Sequence, residues 1–376
     1  EDIKKQGDDH ILSNYYGMIG ELYNNKGDCQ QSLYYKELSL QYAYRTGIIN
    51  QIAISEHNMA VGYLNADRYD ECVTYLKLAY EKFNKIHNYR LLGFALNNLS
   101  EVLANYLCEE QSAITYALNA FEINKIVGGI NLINNYKILA SIYRMMHKYS
   151  EALENINRGM ELSENQSRLI SLLESCLVKA DILIDISAYS QAVKIIEKAV
   201  KISKESLGCY YLRDFLARDS QISIECGNHK RLSKSISQLE KYINVEEAVI
   251  FMAYFYQSRQ SEELLKAYDF IAKCLSDTDI PRARYNLHKA GLYLFSMTGQ
   301  AKKLSRHIAL FYEFLRNDYN AGWKDYRMLE GFLPYAQGSG LPDIKKKAEE
   351  SYEFTKQYIP RQYLSSFLRD KQNREK

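Results

Sequence analysis

Proline is scarce in this chain of 376 residues, and all four (Pro281, Pro334, Pro342, Pro360) lie in its last third. The first 280 residues therefore contain no helix breaker of that kind. No stretch shows sustained alternation with period two, which argues against a sheet. Charge of one sign is also lacking. Lys+Arg number 48 and Asp+Glu 46, for a net charge of +2. That balance gives no broad electrostatic case for nucleic acid or for an anionic membrane. Long hydrophobic runs are absent: the longest uncharged apolar run, Ala248 to Tyr256, has nine residues, too few to span a bilayer. No signal-peptide pattern opens the chain. The seven cysteines are an odd count with no Cys-x-x-Cys pair. Cys72, Cys176 and Cys274 fall on helical apolar faces, so buried free thiols and a cytoplasmic setting are expected.

Catalytic constellations are missing too. The seven histidines (His10, His57, His87, His147, His229, His288, His307) are scattered without a second His or Cys at metal-ligand spacing. There is no Gly-x-Ser-x-Gly, no phosphate loop and no His-Glu-x-x-His. Gly338-Ser-Gly340 runs into Leu-Pro and reads as a loop. The expectation is a protein that is not an enzyme, with no catalytic residue, no metal and no cofactor.

What the chain does have is a period. Tyr23, Tyr63, Leu103, Tyr143 and Leu183 recur at an interval of 40 residues. Four residues before each stands Ile19, Met59, Leu99, Leu139 or Lys179, and three before stands a small residue: Gly20, Ala60, Ser100, Ala140 or Ala180. A second small position follows downstream as Ser32, Cys72, Ala113, Ala152 and Ala192. Leu103 to Ala113 is one residue longer than the others, which predicts a longer turn in unit three. Spacings of three, four and seven place these positions on one helical face, and the small residues let paired helices approach closely. A fixed period of this size marks a solenoid, each unit burying its apolar face against its neighbours.

These residues resemble the tetratricopeptide repeat. Unit one reads Tyr16, Ile19-Gly20, Tyr23, Gly27, Ser32 and Leu40, and unit five reads Ala180, Tyr189, Ala192 and Ala199. The resemblance is good over 10–203 and degenerate afterwards; Asp219 and Ser223 stand in unit six where apolar residues belong. It implies an all-α fold, a right-handed superhelix of about nine antiparallel helix pairs: five well-matched units within 1–203, four degenerate ones within 204–359 (units seven to nine at roughly 245–276, 282–317 and 323–359), then a C-terminal helix at 360–376. An interval of 40 instead of 34 predicts longer helices than the minimal repeat. Glu1 is not a methionine and the chain ends in a charged helix, so a longer polypeptide carrying an effector is expected.

Asparagine marks the candidate site. Asn58 and Asn98 share a place in successive first helices; Asn97 adjoins one, and Asn14 and Asn134 share an earlier place. In this family the first helices line the concave groove, and peptide-binding members commonly use groove asparagines. An asparagine offers both a donor and an acceptor, which suits the backbone of an extended peptide. The expected groove residues are Asn58 and Asn98, surrounded by His57, Asn97, Glu101, Asn134 and Lys137; the alternative is solvated or cap-type asparagine in an Asn-rich chain. A second ladder, Asn25, Asn65 and Asn105, falls where first helices end, and left-handed terminating residues are expected there. The carboxylate clamp of chaperone-adaptor members is not spelled out: its first-helix places hold Gly17 and Glu21, Asn58, then Phe94 and Asn98. The resulting expectation is a protein- or peptide-binding scaffold, sensor or regulatory module of a larger, bacterial-type signalling or transcription-regulating protein. Alternatives are a bacterial peptide-pheromone receptor and a repeat arm attached to a protease or kinase. The expected partner is a protein or extended peptide, with no nucleic acid, no membrane and a possible homo-oligomer.

Overall fold

A computed structural model describes residues 8–206, 211–226, 301–317, 321–336 and 343–374, with isolated positions between 228 and 299. The described residues form fifteen α-helices and no strand. The chain folds as two compact units, residues 1–142 and 143–376.

The first unit holds α1 (Asp9–Asn25), α2 (Cys29–Thr46), α3 (Ile49–Asn65), α4 (Tyr69–Lys85), α5 (Tyr89–Asn105), α6 (Glu110–Val127) and most of α7 (Gly129–Met145). Each helix has 17 or 18 residues. Several starts are written in the sequence. Asp8 accepts from the backbone of His10 and Ile11, Asp28 from Gln31 and Asn88 from Leu91, so each carboxylate or amide satisfies N–H groups that the first turn leaves open.

The stops follow one rule. A residue with positive φ closes nearly every helix: Gly27, Gly47, Asp67, His87, Cys108, Gly128, His147, Ser167 and Ser187, at intervals of 19–21 residues. The true structural period is thus one helix and one turn, and the 40-residue repeat is two of them. At the first-helix ends the next backbone N–H reaches back five residues, Asp28 to Tyr23, Arg68 to Tyr63, Lys148 to Tyr143 and Ala188 to Leu183. This is the Schellman closure, and its acceptors are the recurring positions that reveal the repeat. The asparagine ladder needs correcting here. Asn25, Asn65 and Asn105 are the last residues of α1, α3 and α5, but Gly27, Asp67 and Cys108 carry the left-handed backbone. The asparagines are still helical, because the closure requires the reversal after the helical turn. The turn joining α5 to α6 has four residues, Tyr106 to Glu109, where its counterparts have three.

Both small-residue series are buried throughout, from Gly20, Ala60 and Ser100 to Ala180, and from Ser32 and Cys72 to Ala192. At the first pair, a Cβ added to Gly20 would lie 3.2 Å from the Ser32 carbonyl, so the α1 and α2 backbones nearly touch. Tyrosines cover the turn end of the pairs: Tyr23 stacks on Tyr35 at 5.4 Å, and Tyr63 meets Tyr75 at the same separation.

The second unit holds α8 (Tyr149–Asn165), α9 (Leu169–Asp185), α10 (Tyr189–Ser206), α11 (Leu212–Glu225), α12 (Ala301–Asn317), α13 (Trp323–Phe332), a 3-10 turn (Leu333–Tyr335), α14 (Ile344–Lys356) and α15 (Arg361–Arg374). In the expected unit six, Asp219 and Ser223 are buried as an apolar residue would be. Asp219 accepts from Arg231 Nε at 2.9 Å and from Ser235, and Ser223 returns its hydroxyl to the Asp219 carbonyl. Polar residues are tolerated there because each has a partner. The expected unit seven and Gly227 lie outside the described residues. Within unit nine, α13 and α14 pack as a pair, and Phe367 of α15 stacks on Tyr352 of α14 at 4.9 Å.

Candidate functional site

The seven groove residues expected from sequence all belong to the first unit, on α3, α5 and α7. The structure sorts them into two layers. Asn97 is in the inner one, 1% exposed. Its amide donates to the Asn131 carbonyl at 3.0 Å, and its own oxygen accepts from Asn135 at 3.0 Å and from Asn124. Asn135 also donates to the Ala117 carbonyl and Asn131 to that of Arg90. This buried asparagine cluster ties α5, α6 and α7 together. A Cβ at Gly93 would fall 2.1 Å from the Asn124 oxygen, so glycine is what leaves room for it.

The outer layer comprises Asn58, Asn98, Glu101, Asn134 and Lys137, all half-buried. Asn98 donates to His57 Nε2 at 3.0 Å, which joins α5 to α3. An amide nitrogen can only donate, so the His57 ring proton is on Nδ1. His57 itself is buried against Phe94, with ring centroids 5.2 Å apart. Burial, with a smaller contribution from the Lys36 cation, pushes its pKa down to about 4, so the ring is neutral at pH 7. Asn58 and Asn134 make no side-chain hydrogen bond among the described residues. Asn58 lies over Gly17 of α1, where a Cβ would come within 4.0 Å of its amide nitrogen. The candidate asparagines thus differ in kind: Asn97 holds the scaffold, while Asn58 and Asn134 keep their donor and acceptor capacity.

One group was not singled out from sequence. Below Asn58, the interior between α1, α2 and α3 is polar. Ser13, Ser39, Ser55 and Gln51 form a buried hydrogen-bonded set, and buried Glu56 accepts from Tyr44 and Lys82 at 2.8 Å each. Lys36 of α2 is buried there as well. Lining up the repeats would have exposed it, since the equivalent positions are Leu76, Ala117, Ile156 and Ile196. No group of three or more His, Cys, Asp or Glu that could hold a metal occurs among the described residues, and no helix there is long and apolar enough to cross a membrane.

The fold is a tetratricopeptide-like array of helix pairs. No family model matches the chain. A curated relative, the regulatory protein RapD of Bacillus subtilis (strain 168), is 25% identical over 155 residues, which is 40% of this chain and 43% of RapD. The chain therefore spans under half the length of that relative. Among solved structures, the chain is similar to the nearly identical TPR-like repeats of a putative kinesin light chain from Podosopora anserina, at 16% identity and TM-score 0.45, covering 53% of this chain and 97% of that one. A tetratricopeptide repeat protein from Parabacteroides merdae ATCC 43184 aligns at 13% identity and TM-score 0.37, over 84% of this chain and 98% of its own.

Proposed function

We propose that the protein is a non-catalytic regulatory module that holds an extended peptide or partner segment on the first-helix face of its N-terminal unit. The observation that carries this reading is the pair Asn58 and Asn134, half-buried amides on α3 and α7 without a hydrogen-bond partner among the described residues. An amide so placed can accept one backbone N–H and donate to one C=O of an extended chain at once. Asn98 and Glu101 on α5 lie between them in the repeat order, with Lys137 one turn from Asn134 and His57 and Asn97 supporting the face from within. Opposite charges at Glu101 and Lys137 suit a segment of mixed charge and give moderate salt dependence. The regulatory role is supported by the partial similarity to a protein described as regulatory.

The test begins with a peptide selected on the full chain from a displayed random library. Asn58→Ala and Asn134→Ala are each expected to weaken that peptide about 5- to 150-fold, by leaving buried peptide groups unpaired. Their melting temperatures should stay near the parent's, because neither amide has an internal partner to lose. Asn97→Ala is the contrast, expected to lower the melting temperature. Undiminished binding by Asn58→Ala/Asn134→Ala would remove the groove reading.

A further inference from the structure

Lys36 is the least explained side chain in the first unit. It is 1% exposed, yet it occupies a place that Leu76, Ala117, Ile156 and Ile196 fill in the other repeats. Its stem threads between two glycines: a Cβ at Gly20 would stand 2.7 Å from Lys36 Cγ, and one at Gly62 would stand 3.1 Å from Cδ. Gly62 is itself the exception in its series, where Val102, Ile142 and Ile182 are buried aliphatics. An aliphatic residue has thus become lysine on α2 and another has become glycine on α3, and together they let an ammonium group pass between α1 and α3. The group is shut off from solvent and has no hydrogen bond of good geometry among the described residues. Its counter-charge is Glu21 on α1, 3.3 Å away and 54% exposed. Burying a cation against one exposed carboxylate costs more than an aliphatic side chain would, so stability does not account for it. Burial lowers the Lys36 pKa against the opposing pull of Glu21.

We infer that Lys36 forms a carboxylate-binding subsite in the proposed peptide face, where an acidic group of the ligand takes the place of Glu21 on the ammonium. This rests on the peptide-binding reading above. Asn58 is one turn before Gly62 on α3, and it lies over Gly17, one turn before Gly20 on α1, so an extended segment held by Asn58 has Lys36 within its span. The charge comes from a second helix, outside the first-helix positions at which sequence patterns look for it. The exposed Glu21 works as an internal mimic that keeps the ammonium paired until a ligand arrives.

The experiment uses the full chain labelled with 13C at lysine Cε and 15N at asparagine side chains, with Lys36→Met assigning the Lys36 signal. Three probes are titrated: N-acetyl-alanyl-alanine as the free acid, its C-terminal amide, and N-acetyl-aspartyl-alanine amide. Saturable movement of Lys36 by the free acid and not by its amide is the expected result; the aspartyl amide then distinguishes a side-chain carboxylate from a chain terminus as the source. Glu21→Gln should tighten the free acid about threefold by removing the competing carboxylate. Lys36→Met should weaken it about tenfold or more, as a charged hydrogen bond is lost. Equal responses to acid and amide, or a silent Lys36, overturn the inference. If Asn58 and Asn98 respond to all three probes while Lys36 does not, the peptide face stands and the carboxylate subsite falls; if only Lys36 responds to the acids, the subsite stands without the peptide face.

Discussion

At the scale of single residues, neighbours in sequence differ because a helix turns them to different surroundings. Asn97 and Asn98 read alike, and the register of Asn98 with Asn58 marked both as groove candidates. Only the positions of α7 and α3 decide that Asn97 meets Asn131 and Asn135 while Asn98 meets His57. Lys36 was legible in principle, since a lysine at a periodic aliphatic position is an anomaly that repeat alignment exposes, whereas its two glycines matter only once α1 and α3 are seen to enclose it. His57 yields a pH prediction. Its folded pKa of about 4 lies below the ordinary value of 6.5, so between these values the unfolded chain binds a proton that the folded one excludes. The stability that follows from keeping the ring neutral is whole above pH 6.5 and falls as the pH drops to 4. The loss is about 3 kcal/mol. His57→Gln should lack that part of the acid limb while keeping an acceptor for Asn98. Urea denaturation of parent and variant at about pH 7.5 and pH 4.5 measures the difference. Equal losses in the two proteins would mean that His57 is not neutral and buried in solution.

At the scale of helices, the sequence carried the pairs almost completely. The aromatic and small positions gave the register, and the structure buries every small residue of both series, with a close backbone approach at Gly20 and Ser32. The half-period escaped because the left-handed closing position accepts Gly, Asp, His, Cys or Ser in turn, so no single residue type marks it. Its regularity is in the backbone: 17 or 18 helical residues, then a short reversal that returns an N–H to the carbonyl at the repeat's anchor. The close crossings support a packing prediction in the second unit. Ala152 on α8 and Ala192 on α10 are fully buried, at the place where Gly20 and Ser32 show the backbones of a pair nearly touching. Leucine there has no room without separating the helices. Ala152→Leu and Ala192→Leu should each destabilise by about 1–3 kcal/mol. Thermal melts followed by far-UV circular dichroism check this, and unchanged melts for both would show that the register of small positions is misassigned.

At the scale of the molecule, the last third was the part least readable from sequence, and the second unit shows why. A solenoid is read from neighbour contacts, but α13 and α15 also bond to turns far earlier in the chain. Lys324 donates to the Ile184 carbonyl at 2.7 Å and to Tyr189 at 3.1 Å. Asp370 accepts from Ser187 at 2.6 Å and from the Tyr189 hydroxyl at 3.4 Å, and it pairs with Lys324 at 3.7 Å. Gly322, just before α13, lies against His147: a Cβ there would meet the ring at 2.9 Å. Lys324, Asp370 and Gly322 stand outside the repeat pattern, and the hydrogen bonds of Lys324 and Asp370 to the α9–α10 region span 135–183 positions, so no periodic signal could announce them. The energetic centre is Asp370, a buried carboxylate whose removal takes the counter-charge from Lys324 and the acceptor from the Ser187 hydroxyl. Lys324 keeps some solvent contact, which lowers the cost below that of a fully buried pair. Asp370→Ala should therefore cost about 2–4 kcal/mol. Replacing Lys324 as well should cost less than the sum of the two single changes, with a coupling of about 0.5–3 kcal/mol, because the stranded charge is gone. Chemical denaturation of the four proteins of this cycle decides the matter. A full cost for Asp370→Ala with strict additivity would assign the effect to Ser187 and Tyr189 alone, whereas no cost at all would mean that α15 does not close on the α9–α10 turn in solution.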